Sequence, residues 1–135
     1  MSAHVPRSSM TLILTIDTST RWAGVGLQLP EGEGRSRTWR SNQNHGAELM
    51  PAVLDLLQVR GHGFKDVGAV AVATGPGGFS ALRVGISTAK GIVAPQEIPL
   101  VGISTHDLEV HSACDSETAA SKVSEASVVY SVIDA

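Results

Sequence analysis

Hydrophobic and polar positions change period along this chain, and the changes mark its elements. Ala23, Val25, Leu27 and Leu29 alternate with Trp22, Gly24, Gly26 and Gln28, which predicts a strand over Arg21–Leu29. The apolar run Thr11–Ile16 predicts a strand before it, with Asp17-Thr18-Ser19-Thr20 as the hairpin turn. A third strand, Arg35–Arg40, follows the Pro30–Gly34 loop. The pattern then becomes helical over His45–Arg60, where Leu49, Val53, Leu56 and Leu57 share a face and Met50, Leu54 and Val59 widen it; Gly61 is the expected stop. Val67–Thr74 reads as a strand feeding a glycine-rich turn. Beyond the turn, a helix capped by Ser80 and ended by Gly91 is expected, then a short strand, Leu100–Ile103, and a helix over Thr105–Ala113.

The resulting order, βββαβαβα, predicts an α/β domain of the ribonuclease H-like or actin-like ATPase (ASKHA) class over residues 10–113. Residues 1–9 read as a polar extension. Residues 114–126 read as a linker, with a small, polar core from Thr118 to Ala126. Residues 127–135, with the apolar run Val128–Ile133, read as the first strand of a truncated second domain. Several chemistries share this fold class, so function has to be sought in the sites.

Composition narrows the field. A hydrophobic content of 42% over 135 residues is enough for a real core. No segment approaches the roughly 20 apolar residues of a membrane helix, and Met10–Ile16 is too short for a secretory core, so no membrane role is expected. The lone Cys114 excludes an internal disulfide and a cysteine cluster, which points to the cytoplasm. A net charge of −3 and singly scattered aromatic residues argue against nucleic-acid binding by the chain alone.

The run GPGGFSALRVGISTAKG, Gly75–Gly91, carries most information. Strand, tight turn and helix in succession aim backbone N–H groups at the sheet edge, as in phosphate sites. Yet Lys90 lies far down the helix, which departs from a P-loop, and the Rossmann spacing is absent. Gly75, Gly77 and Gly78 suit a chain reversal. Ala81, Gly85 and Ala89, at i, i+4 and i+8, form a smooth stripe that either lies on the chain's own sheet or lets a partner approach closely.

The residues bear on four chemistries. A nuclease needs converging carboxylates; Asp17 and Glu48 are available, but the fourth strand ends in Thr74-Gly75. An actin-like ATPase would use Asp17 and the hydroxyls of Thr18, Ser19 and Thr20, beside Gly75, Gly77 and Gly78, although Asp, Thr and Ser are also ordinary turn residues. His106 and His111 are five apart, a rotation of about 500° that leaves their rings roughly 140° apart, so no metal site is expected there. Cys114 lacks a pattern that would activate a thiol.

Three segments, ILTIDTSTRWAGVGL (Ile13–Leu27), HGAELMPAVLDLL (His45–Leu57) and the Gly75–Gly91 run, together resemble the TsaB family of bacterial threonylcarbamoyladenosine synthesis, and VGIST at Val101–Thr105 fits as well. The resemblance covers roughly Met10–Ser112. Where the family motif reads GPGSFTGLR, this chain has Gly78, Ser80 and Ala81. The resemblance implies an ASKHA fold and no catalytic residue. It implies a scaffold role, binding and activating a TsaD-type catalytic subunit that a TsaE-type ATPase joins. ATP or ADP would then enter only at the level of the complex, tRNA would be met only through it, and the isolated chain could pair as a homodimer. The docking surface it implies lies on the first two helices: Leu49, Met50, Val53 and Leu54, with Ala81, Leu82, Gly85 and Ala89. The alternative is an ATP-binding enzyme fragment using Asp17 and the Gly75–Gly78 turn.

Overall fold

A computed structural model of the chain describes residues 12–29, 34–42, 44–59 and 61–108. The expected extension, linker and final strand lie outside these residues, as do His111, Cys114 and the end of the Thr105–Ala113 helix; Thr105–Leu108 are helical.

The elements run β1 (Leu12–Asp17), β2 (Trp22–Gln28), β3 (Gly34–Arg40), α1 (His45–Gln58), β4 (Val67–Gly75), α2 (Phe79–Val93) and β5 (Leu100–Ser104). Single 3-10 turns at Phe64–Asp66 and Ala94–Gln96 precede β4 and follow α2. One five-stranded sheet has the order β3-β2-β1-β4-β5. The β1–β2 and β2–β3 pairs are antiparallel, while β4 lies parallel to both β1 and β5. Parallel neighbours require crossovers, and α1 and α2 supply them. The helices touch each other and pack on the sheet.

Period two in β1 and β2 sends Leu12, Leu14, Ile16, Val25 and Leu27 under the helices. Val70 and Val72 join from β4, and α1 closes the core with Leu49, Ala52, Val53, Leu56 and Leu57. These side chains are all at most 8% exposed, so burial of this one face supplies most of the stabilisation. Gly61 does stop α1: its N–H donates to Gln58 O and the His62 N–H to Leu57 O, both at 3.0 Å, with Gly61 at φ 74°.

Helix α2 departs from expectation at both ends. Ser80 does not cap it; Gly78 is the N-cap, and the Leu82 N–H donates to Gly78 O at 2.9 Å. The earlier start follows from the turn, which already presents the Gly78 carbonyl along the helix axis. Gly91 does not end it either. The buried Ala89 and Ile92 hold that turn against the sheet, and the helix runs on to Val93 before Pro95 and the left-handed Glu97 redirect the chain.

Candidate functional site

The β1–β2 turn and the β4–α2 turn meet at one end of the sheet, beyond the C-terminal ends of the neighbouring strands β1 and β4. Asp17 closes its own turn: its Oδ1 accepts from the Ser19 N–H at 2.9 Å and the Ser19 hydroxyl at 2.5 Å. Ser19 O accepts from the Gly78 N–H at 3.2 Å, and the fully buried Thr18 donates its hydroxyl to Ala81 O at 2.6 Å. The two turns are therefore bonded to each other. Their contact leaves no room for side chains. A Cβ on Gly77 would overlap Ser19 O and stand 2.8 Å from its carbonyl carbon; one on Gly85 would overlap Thr18 Oγ1.

Helix α1 opens beside this junction. Its N-cap, Asn44, makes no side-chain bond to the helix start. Instead Glu48, in the first turn, reaches back to β3 and its end, accepting from Trp39 Nε1 at 3.1 Å and from the Ser41 hydroxyl at 2.6 Å. The Ser41 bond, then the Trp39 bond, holds the Glu48 carboxyl below its ordinary range. His45, the first residue of α1, is only 8% exposed, and its Nε2 has no hydrogen-bond partner among the described residues.

Between the two helix starts lies a cavity of about 800 Å³, lined among others by Arg21, Arg40, Ser41, His45, Phe79 and Ser80. Phe79 stands 74% exposed at its side, with the Arg83 guanidinium 5.4 Å from the ring centroid.

The structure thus brings Asp17, Thr18 and Ser19 together with Gly75, Gly77 and Gly78, as the sequence suggested, but Asp17 Oδ1 and the Thr18 hydroxyl are engaged within the fold. The second group of residues divides. Leu49, Val53, Gly85 and Ala89 are buried in the chain's own core, so the Gly85 and Ala89 part of the smooth stripe of α2 is not free for a partner. This corrects the docking reading for those four: Leu49 and Val53 on α1 and Ala89 on α2 belong to the hydrophobic core, and Gly85 lies against Ile16 and Thr18. Met50 is 37% exposed, and Leu54, Ala81 and Leu82 are half-buried.

Sequence reasoning missed Arg21, Arg40 and His45. They come from the turn before β2, the end of β3 and the start of α1, and nothing local links them; the one available signal was a histidine opening a helix. Among the described residues no three His, Cys, Asp or Glu side chains are grouped to hold a metal ion.

Residues 40–125 match the family model described as TsaD: tRNA N6-adenosine threonylcarbamoyltransferase. The chain belongs to this family. Within it the chain is TsaB-like. It is 34% identical over 93 residues to the tRNA threonylcarbamoyladenosine biosynthesis protein TsaB of Escherichia coli, covering 69% of this chain and 40% of that protein. The same protein of Bacillus subtilis is 31% identical over 93 residues, covering 69% and 41%. A tRNA N6-adenosine threonylcarbamoyltransferase of Anaeromyxobacter dehalogenans is 36% identical over 89 residues, covering 66% and 23%. Among solved structures, YeaZ from Pseudomonas aeruginosa superposes with a TM-score of 0.76 at 30% identity, covering 81% of this chain and 51% of that one. The TsaB-like chain spans about 40% of the length of these curated TsaB relatives. Its mixed five-stranded sheet with α1 and α2 on it is the actin-like ASKHA arrangement that the element order predicted.

Proposed function

We propose that this TsaB-like chain serves tRNA threonylcarbamoyladenosine biosynthesis in the cytoplasm as a non-catalytic scaffold that binds and activates a TsaD-type catalytic subunit. The likeness to TsaB in both sequence and structure carries this reading. In it, a TsaE-type ATPase joins the assembly, ATP or ADP is used there, and tRNA is met through the assembly. No helix among the described residues is long and apolar enough to cross a membrane.

The docking surface in this reading uses Met50, Leu54, Ala81 and Leu82, the expected residues of α1 and α2 that the core does not bury. An exposed methionine suits such a surface because its flexible, polarizable side chain adapts to a partner's contour. The ATP-binding alternative would need Asp17 for a cation, and that carboxylate already serves Ser19.

The test is calorimetric titration of the chain into a TsaD-type subunit from the same source. Saturable binding is expected, weakened at least tenfold by Met50→Asp while thermal unfolding of the variant stays unchanged. A parent chain that shows no binding would refute the scaffold reading. Unchanged affinity in the folded Met50→Asp variant would remove this face as the interface.

A further inference from the structure

We propose that the exposed basic and aromatic surface beside the β1–β2 turn is the docking site of this chain's own acidic segment, residues 109–135. The inference does not rest on the scaffold reading, and it uses none of Met50, Leu54, Ala81 or Leu82.

Five side chains make the surface. Trp22 and Phe79 are the two most exposed large hydrophobic side chains among the described residues, and each stands beside an arginine. Trp22 lies directly across from Arg40 in the β2–β3 register, so the two share a face of the sheet, and Arg83 lies over the Phe79 ring. Arg21 joins the two pairs: its carbonyl accepts from the Ser41 N–H at 2.8 Å, next to Arg40, and Arg21, Arg40 and Phe79 line one cavity. All three arginines are exposed, and none is in an ion pair among the described residues, whereas Arg37 is held by Asp55. The acidic residues of the adjoining turn and helix are already engaged, Asp17 by Ser19 and Glu48 by Trp39 and Ser41. Exposed aromatic rings beside arginines are the side chains that protein contacts bury to most effect.

Charge and reach name the occupant. Residues 109–135 hold Glu109, Asp115, Glu117, Glu125 and Asp134 against Lys122 alone, a net charge of −4, while the preceding residues sum to +1. Because β5 runs parallel to β4 and β1, the chain leaves β5 at the end of the sheet where Arg21, Trp22, Arg40 and Phe79 stand. Three strand spacings separate β5 from β2 and four separate it from β3, roughly 14 and 19 Å. From Leu108, Glu109 falls short of that span. Asp115, seven residues on, reaches up to about 23 Å in an extended chain, and Glu117 reaches further. Exposed ion pairs are individually weak, but a segment tethered by a few residues meets its site at an effective concentration on the order of millimolar. A separate acidic protein lacks that advantage.

The experiment uses the full 135-residue chain with a nitroxide spin label on Cys114, the lone cysteine, next to Asp115. Paramagnetic broadening of NMR signals is expected at the Trp22 indole and at the amides of Arg21, Arg40 and Phe79. Asp115→Lys combined with Glu117→Lys should reduce it about threefold or more, and adding Arg21→Glu with Arg40→Glu to that chain should restore it. Lys65→Glu, which precedes β4 at the other end of the sheet, should leave it unchanged. The amide spectrum of each variant reports whether the fold is kept. When spin-labelled chain is mixed with isotope-labelled chain that carries no spin label, no broadening is expected. Broadening in that mixture would assign the segment to a second copy and overturn the proposal. So would broadening that survives charge reversal in the segment, or its complete absence in the parent chain, which would leave the surface to a separate acidic partner.

Discussion

Replacing Gly85 by alanine tests the close approach of α2 to the β1–β2 turn. On an isolated helix the change would be favourable by about 1 kcal/mol. Here the added methyl falls on Thr18: it overlaps Oγ1, and it comes 3.4 Å from Thr18 Cγ2 and 3.5 Å from Ile16 Cγ2. Thr18 cannot rotate away cheaply, because its hydroxyl is bonded to Ala81 O and its side chain is 1% exposed. Overpacking costs roughly 1–3 kcal/mol, and loss of the Thr18 hydrogen bond adds about 1 kcal/mol. After the helical gain is subtracted, Gly85→Ala should destabilise the chain by about 1–3 kcal/mol. Urea denaturation followed by circular dichroism measures this. A double-mutant cycle assigns the cause, since Thr18→Ala removes both atoms that the new methyl strikes. The pair should be more stable than the sum of the single effects predicts, with a coupling of about 1 kcal/mol or more. If Gly85→Ala is neutral or stabilising, or if the two effects add within about 0.5 kcal/mol, the close approach of α2 to the β1–β2 turn is not the determinant.

Gly91→Ala should act oppositely six residues along the same helix: a Cβ there meets nothing within 4 Å, and the position is exposed, so a gain of about 0.5–1 kcal/mol is expected in the same denaturation assay. Acid should loosen the link between α1 and β3. Glu48 has its folded-state pKa below the ordinary value of 4.5, so its contribution is complete above that value and is lost as pH falls through the folded pKa. The indole N–H resonance of Trp39 should therefore titrate at a pH below the usual glutamate range, and Glu48→Gln should flatten the acid limb of the stability curve. A Trp39 transition at the ordinary glutamate value would contradict the bonding described.

The sequence by itself determined the element order and the buried face, because both depend on near neighbours along the chain. Period two exposes Trp22 and Gln28 while it buries Ala23, Val25 and Leu27, and the 3.6 period of α1 buries Leu49, Val53, Leu56 and Leu57. Gly61 as the stop of α1 was legible for the same reason, since a left-handed residue after a helix is a local requirement. The ends of α2 were not legible, because Ser80 and Gly91 are good local signals overridden by contacts with the sheet. The stripe Ala81, Gly85 and Ala89 shows the division most plainly. Its spacing says that a backbone comes close. Only the tertiary structure decides that the neighbour is the chain's own β1 and the turn that follows it. The cavity edge belongs wholly to tertiary structure. Arg21, Arg40 and His45 sit on the β1–β2 turn, at the end of β3 and at the start of α1, and only the tertiary fold brings their side chains to one place. Pairing across a fold depends on which strands lie side by side, and no local period encodes that.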